Sequence, residues 1–80
     1  MKISVIVTLK DEVLDPQGKV ISDTIQNMGI NNINDIRQGK FFEIKINEKD
    51  FKDAEKKIEE ICKKLLANPV IENYKIINNK

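Results

Sequence analysis

At 80 residues, with 14 basic side chains against 13 acidic ones, the chain has room for one domain (1–80) and a net charge of only +1. That balance gives no field to steer it to nucleic acid or an anionic membrane. Histidine is absent and Cys62 is the single cysteine, so the commonest general base and metal ligand are missing, and an internal disulfide or cysteine metal cluster is impossible. No apolar run reaches the roughly 18 residues of a membrane span, and the N-terminus carries no secretory pattern, so a cytoplasmic location is expected. A chain this short buries only roughly 60–65% of its unfolded surface, which makes association a plausible source of stability.

Residues 2–9 alternate, with Ile3, Val5, Val7 and Leu9 on one side and Lys2, Ser4, Ile6 and Thr8 on the other, the period-two pattern of a half-buried strand. Asp15-Pro16 marks a helix start, since aspartate accepts from free N–H groups and proline suits the first helical position. Val20, Ile21, Ile25 and Met28 recur on one face of that helix, and Gly29 is expected to end it as a left-handed cap. A second strand is expected from about Asn32 to Gln38, anchored by Ile33 and Ile36, with Gln38-Gly39 as a hairpin turn. A third follows, with Phe42, Ile44 and Ile46 facing one way and Phe41, Glu43 and Lys45 the other.

Asp50 is expected to cap a second helix whose apolar stripe is Phe51, Ala54, Ile58, Ile61, Cys62 and Leu65, with pairs such as Glu59 and Lys63 on its wet side. Asn68-Pro69 stops it. A last strand runs from about Ile71 to Ile77, leaving residues 78–80 as a frayed tail. The order β-α-β-β-α-β predicts an α+β, ferredoxin-like sandwich, a four-stranded antiparallel sheet with both helices on one face. The other face would then be open, with Ile6, Phe41 and Ile77 or Ile71 on it, and homodimerisation through that face is expected.

Motifs for chemistry are sparse. Asp11, Glu12 and Asp15 could hold a hard cation, but they lack an EF-hand spacing and read better as a capped, solvated loop. Cys62 lies on an apolar stripe and reads as a small hydrophobe. Asp15-Pro16-Gln17-Gly18-Lys19 and Gln38-Gly39-Lys40 set glycine beside lysine, yet neither makes a phosphate-binding loop. Phe41 and Phe42 point to opposite faces, so at most one could stack on a base as in RNA-binding domains of this topology. An effector-binding regulatory domain is the main rival to an assembly role. Acylphosphatase shares the topology, but its phosphate-cradling arginine loop after the first strand is missing here.

Several segments taken together resemble one family: Val7-Thr8-Leu9-Lys10, Leu14-Asp15-Pro16-Gln17-Gly18-Lys19, Ile36-Arg37-Gln38-Gly39-Lys40, and Leu65-Leu66-Ala67-Asn68-Pro69-Val70-Ile71-Glu72 with Tyr74 after it. These are similar to PurS, the small subunit of the multi-protein phosphoribosylformylglycinamidine synthase of purine biosynthesis. The likeness implies a non-catalytic subunit that bridges a glutaminase, PurQ, and a synthetase, PurL, in a complex that uses ATP, magnesium and glutamine, none of them held by this chain. Contact elements implied by it are Lys10 and the helix start with Asp15, Gln17, Gly18 and Lys19; the turn with Arg37, Gly39 and Lys40; and Asn68, Pro69 and Val70. Asp15, Gly39 and Pro69 would also be there as cap, turn and helix stop, so Lys10, Arg37 and Lys40 carry more weight. Many relatives have Pro-Gly where this chain has Asp11-Glu12, which frees the loop and adds two negative charges.

Overall fold

The computed structural model of the chain describes residues 1–79. Strand β1 (Lys2–Leu9) lies between β2 (Gly39–Lys45) and β3 (Glu72–Asn79), antiparallel to both, in the order β2-β1-β3. Register follows the apolar alternation: Val5 stands opposite Phe42 and Ile76, Ile3 opposite Ile44, and Val7 opposite Tyr74. A slip by one residue would turn every one of these side chains to the other face.

Helix α2 (Phe51–Ile61) packs on that face. Asp50 caps it by accepting from the Lys52 N–H at 3.1 Å. Its stripe buries Ala54 and Ile58, continues into Cys62, and meets Ile3, Val5 and Val7 in a fully buried core. Phe42, Ile44, Phe51, Tyr74 and Ile76 pack around it, partly buried. Each fully buried aliphatic contributes about 1.5–3 kcal/mol. The last turn, Cys62–Leu66, widens into a π-helical turn closed by the Ala67 N–H donating to the Cys62 carbonyl at 3.0 Å, two residues before Pro69. That extra residue per turn rotates Leu65 out of the expected stripe, and it stands exposed. Ile61 is also partly exposed.

The fourth strand does not form among the described residues. Residues 30–38 run without a ladder partner, so the sheet has three strands rather than four. The sequence contains the reason: Ile33 and Ile36 are an odd number apart and cannot share a sheet face, and Asn31, Asn32, Asn34 and Asp35 disfavour strands. The Gln38-Gly39 hairpin turn therefore does not exist either. Gly39 opens β2, and a Cβ there would come within 2.5 Å of the Val7 carbonyl oxygen, so glycine serves close strand approach and not a positive φ. Asn78 and Asn79 belong to β3 and are not a tail, with the Asn79 side chain hydrogen-bonded to the Ser4 hydroxyl. Lys80 lies outside the described residues.

Helix α1 (Pro16–Asn27) begins and ends as expected. Met28 follows, and Gly29, at φ 91°, closes a Schellman motif in which its N–H donates to Gln26 O and that of Ile30 to Ile25 O. It does not, however, join α2 on the sheet. Val20 and Met28 are exposed, and Gly18 is the buried residue of the helix. The chain measures 50 × 27 × 14 Å with a Cα radius of gyration of 16.0 Å, against about 12 Å for a compact domain of this length. Helix α1 and the returning segment 30–38 form an arm beyond the α2-covered sheet.

Candidate docking end of the sheet

The arm joins the sheet where β1 ends and β2 begins, and the joint is a closed set of hydrogen bonds. Asp15 sits at the helix N-cap with one carboxylate oxygen accepting from the Gly18 N–H at 3.0 Å and the other from the Gln38 N–H at 2.7 Å. The Gln38 and Gly18 amides, and then the nearby Arg37 charge, hold the Asp15 carboxyl below its ordinary value, although its burial opposes them. Arg37 reaches back in the other direction. Its Nη2 donates to the Lys10 carbonyl at 2.8 Å and to the Val13 carbonyl at 2.9 Å.

Gly18 packs directly on the backbone of Ile36, where a Cβ would overlap the carbonyl oxygen. One joint thus fastens loop 10–15, the first turn of α1 and residues 36–38 together.

The third predicted segment meets the same end. The Lys10 N–H donates to Ile71 O at 2.9 Å, tying the exit of β1 to the entry of β3. Asn68 organises that entry: its side chain accepts from the Val70 N–H at 3.1 Å, and its carbonyl accepts from Ile71 and Glu72. Its own N–H donates to the Glu72 carboxylate at 2.7 Å. Asp15, Gln17, Gly39, Lys40 and Glu72 line one shallow depression there. Lys10, Asp15, Gln17, Gly18, Gly39, Lys40 and the 68–70 turn, spread over the whole sequence, are therefore gathered at one end of the sheet.

They differ in what they have left to offer. Arg37, read as a solvated charge or a partner contact, is exposed, and its guanidinium also staples its own chain. Asp15 spends both oxygens on backbone amides, so it is not free for the cation that Asp11, Glu12 and Asp15 might share. Among the described residues no three Cys, Asp or Glu side chains converge as a metal site. Lys19 pairs loosely with Asp23 at 3.8 Å along the arm. The ammonium groups of Lys10 and Lys40 have no hydrogen bond or ion pair within the described chain, and Val70 is exposed. Glu72 and the Gln38 amide escaped sequence reasoning. The four-residue spacing of Asn68 and Glu72 around a proline was the readable signal for the first. The second is a backbone contact 23 positions from Asp15, which no local pattern reveals.

On the open face of the sheet Ile6 stands opposite Phe41, with Ile77 across from Ser4, and Phe41 is exposed. Ile71, the other residue expected there, precedes β3. Cys62 is fully buried under α2, and burial pushes its thiol up, as Glu59 also does.

Comparison with known proteins agrees across the chain. The family model PurS, described as phosphoribosylformylglycinamidine (FGAM) synthase, matches residues 2–79. The phosphoribosylformylglycinamidine synthase subunit PurS of Bacillus subtilis is 43% identical over 74 residues, covering 92% of this chain and 87% of that protein. A crystal structure of B. subtilis PurS superposes with a TM-score of 0.87 at 40% identity, over 99% of this chain and 98% of the other. A chain of the PurLQS structure from Thermotoga maritima superposes with a TM-score of 0.86 at 25% identity, covering 95% and 93%. Matched along nearly its whole length by the family model, by a relative at 43% identity and by a solved structure, the chain belongs to the PurS family of phosphoribosylformylglycinamidine synthase subunits.

Proposed function

We propose that the chain is the non-catalytic subunit that bridges a PurQ-like glutaminase and a PurL-like synthetase in phosphoribosylformylglycinamidine synthase, supporting ammonia transfer between them. The gathering of three sequence-distant segments at one end of the sheet carries this reading. Lys10 and Lys40 offer unpaired charge there, Gln17 an exposed amide, and Pro69 and Val70 an apolar tip. The lysines and Gln17 stand beside the joint held by Asp15 and Arg37, and the 68–70 turn is tied to the same end by the Lys10 N–H and Ile71 O. A rigid mount of this kind suits a spacer, because fixed contacts lose less entropy on docking. Likeness to a chain of a PurLQS structure supports the same partners.

The chemistry needs such a spacer. Ammonia attacks only as the neutral base, and escape into water would protonate and dilute it. Seating glutaminase and synthetase against each other raises its effective concentration at the acceptor. In this reading ATP, magnesium and glutamine belong to the partner subunits and the complex works in the cytoplasm. No helix of the described residues is long and apolar enough to cross a membrane. Homodimerisation through the open sheet face, with Ile6 and Phe41 at its centre, would cover the apolar side chains left there.

Gel filtration of the three purified subunits with glutamine, magnesium and adenine nucleotide tests the bridge. Co-elution of PurL and PurQ that depends on the chain is expected. Co-elution of the two large subunits without it, or failure of the chain to bind either, overturns the proposal.

A further inference from the structure

The end of the sheet where β1 begins carries charge that its own chain does not answer. The ladder sets Lys2 directly opposite Lys45, and like charges facing each other across two strands cost stability. Glu43 relieves Lys2 at 3.2 Å. Lys45 has no such relief. Four residues on, in the turn leading to α2, Lys49 is also exposed, and neither it nor Lys45 makes an ion pair among the described residues. The acids nearest in sequence are committed elsewhere: Glu48 to Lys57 at 2.7 Å, and Asp50 to the Lys52 N–H that it caps.

The three lysines line one open cleft together with Ile46 and Phe51, both part-buried. At about 960 Å³ it has room for several side chains. Its walls are fixed. The Met1 amino group donates to Ile46 O at 3.0 Å and its carbonyl accepts from the Ile46 N–H at 2.9 Å, while the Glu48–Lys57 pair straps the following turn to α2. A preformed surface of this kind loses little entropy when it is occupied. The cleft and the Asp15–Arg37 joint lie at opposite ends of β1, whose eight residues set them roughly 25 Å apart.

We infer that this cleft is a second docking site, taking an acidic segment of whichever larger subunit the Lys10–Lys40 end does not hold. The inference rests on the bridging function proposed above. A bridge meets two bodies, and contacts at opposite ends of one strand let both be held without competing for a single surface. Charge supplies the chemistry: the whole chain carries only +1, so three lysines around one cleft are a feature of the site and not of the general surface. Carboxylates of a partner would relieve the Lys2–Lys45 repulsion and pair with Lys49, and an apolar side chain between them would cover Ile46 and Phe51. A small polyanion fits less well, because the lining holds no arginine fork and the Lys52 N–H is already taken by Asp50.

Full-length chains carrying Lys45→Glu/Lys49→Glu, and separately Lys10→Glu/Lys40→Glu, are titrated against each larger subunit with glutamine, magnesium and adenine nucleotide present. The first pair should weaken binding to one subunit about tenfold, less so at high salt, and leave the other within about twofold. The second pair should act chiefly on the subunit that the first spares. Lys45→Gln/Lys49→Gln, which removes charge without reversing it, should weaken the same contact about threefold. Unchanged affinity for both subunits in a Lys45→Glu/Lys49→Glu chain with native circular dichroism overturns the second site. So does equal loss of both, or action of both lysine pairs on the same subunit. A rise in Tm of the native chain with ADP alone, abolished by Lys45→Glu/Lys49→Glu, also overturns it by making the cleft a small-anion site. A native chain that binds neither subunit refutes the bridging reading itself, and this inference with it.

Discussion

Gly18→Ala separates tertiary packing from helix propensity by the sign of its effect. Gly18 sits at the third position of α1, and its φ is not positive, so alanine there would ordinarily stabilise the helix by about 0.5–1 kcal/mol. The joint reverses that expectation. The new methyl would overlap the Ile36 carbonyl oxygen and lie 3.0 Å from both the Ile36 carbonyl carbon and an Asp15 carboxylate oxygen. Ile36 cannot retreat cheaply, because Arg37 next to it is tied to Lys10 and Val13, and the Gln38 N–H to Asp15. Overpacking of a closed site costs about 1–3 kcal/mol. The net is a loss of about 1–2 kcal/mol, or a drop of roughly 10 °C in Tm for a domain of this size. Thermal and urea denaturation at fixed protein concentration read it, with exposed Gln17→Ala, expected within about 0.5 kcal/mol of the parent, as control. A Gly18→Ala chain at least as stable as the parent would refute the joint as described.

Asp15 gives the acid limb of the stability curve. Its carboxyl is held below the ordinary value of 3.8 in the folded state, so its contribution is present above the unfolded pKa and is lost as pH falls through the folded one. Stability should therefore decline below about pH 4, and Asp15→Asn should flatten that decline while lowering stability at pH 7; an unchanged acid slope would contradict this. The Cys62 thiol, buried and shifted upwards, should resist a thiol-reactive dye in the native protein and react fully in denaturant; rapid stoichiometric labelling without denaturant would show that α2 does not cover it. Lys10→Glu and Lys40→Glu should leave Tm unchanged within the few degrees that about 0.5 kcal/mol represents. They should weaken binding to the larger subunits in a salt-dependent way, and unchanged affinity would move the docking site elsewhere.

Strands β1 and β2 and helix α2 were legible because each is an amphipathic repeat with local punctuation. The alternation Ile3, Val5, Val7 set the face and the register, and Asp15, Gly29 and Asp50 marked helix ends through contacts within a few residues. Three features were not legible. Residues 32–39 carry two isoleucines and a turn-like glycine, which imitate a strand and hairpin. The odd spacing of Ile33 and Ile36 and the surrounding Asn and Asp residues warned otherwise. The direction of α1 depends on Asp15 reaching Gln38 and Arg37 reaching Lys10 and Val13, contacts more than 20 residues apart that leave no periodic trace. The π-helical turn shifted Leu65 by a local change in winding that a 3.6-residue repeat cannot show. At the candidate site, Gln17, Lys40 and the 68–70 turn are exposed and Lys10 partly so, whereas Arg37, also exposed, in addition braces its own chain.

Reconstitution with and without the chain is the direct test of a bridging subunit. Amidine formation by PurL plus PurQ is followed once with glutamine and once with ammonium as nitrogen donor. The glutamine-driven rate should rise from near zero and saturate as the chain is titrated in, while the ammonium-driven rate of PurL stays almost constant. Equal stimulation of both, or of neither, would contradict a role in holding donor and acceptor sites together.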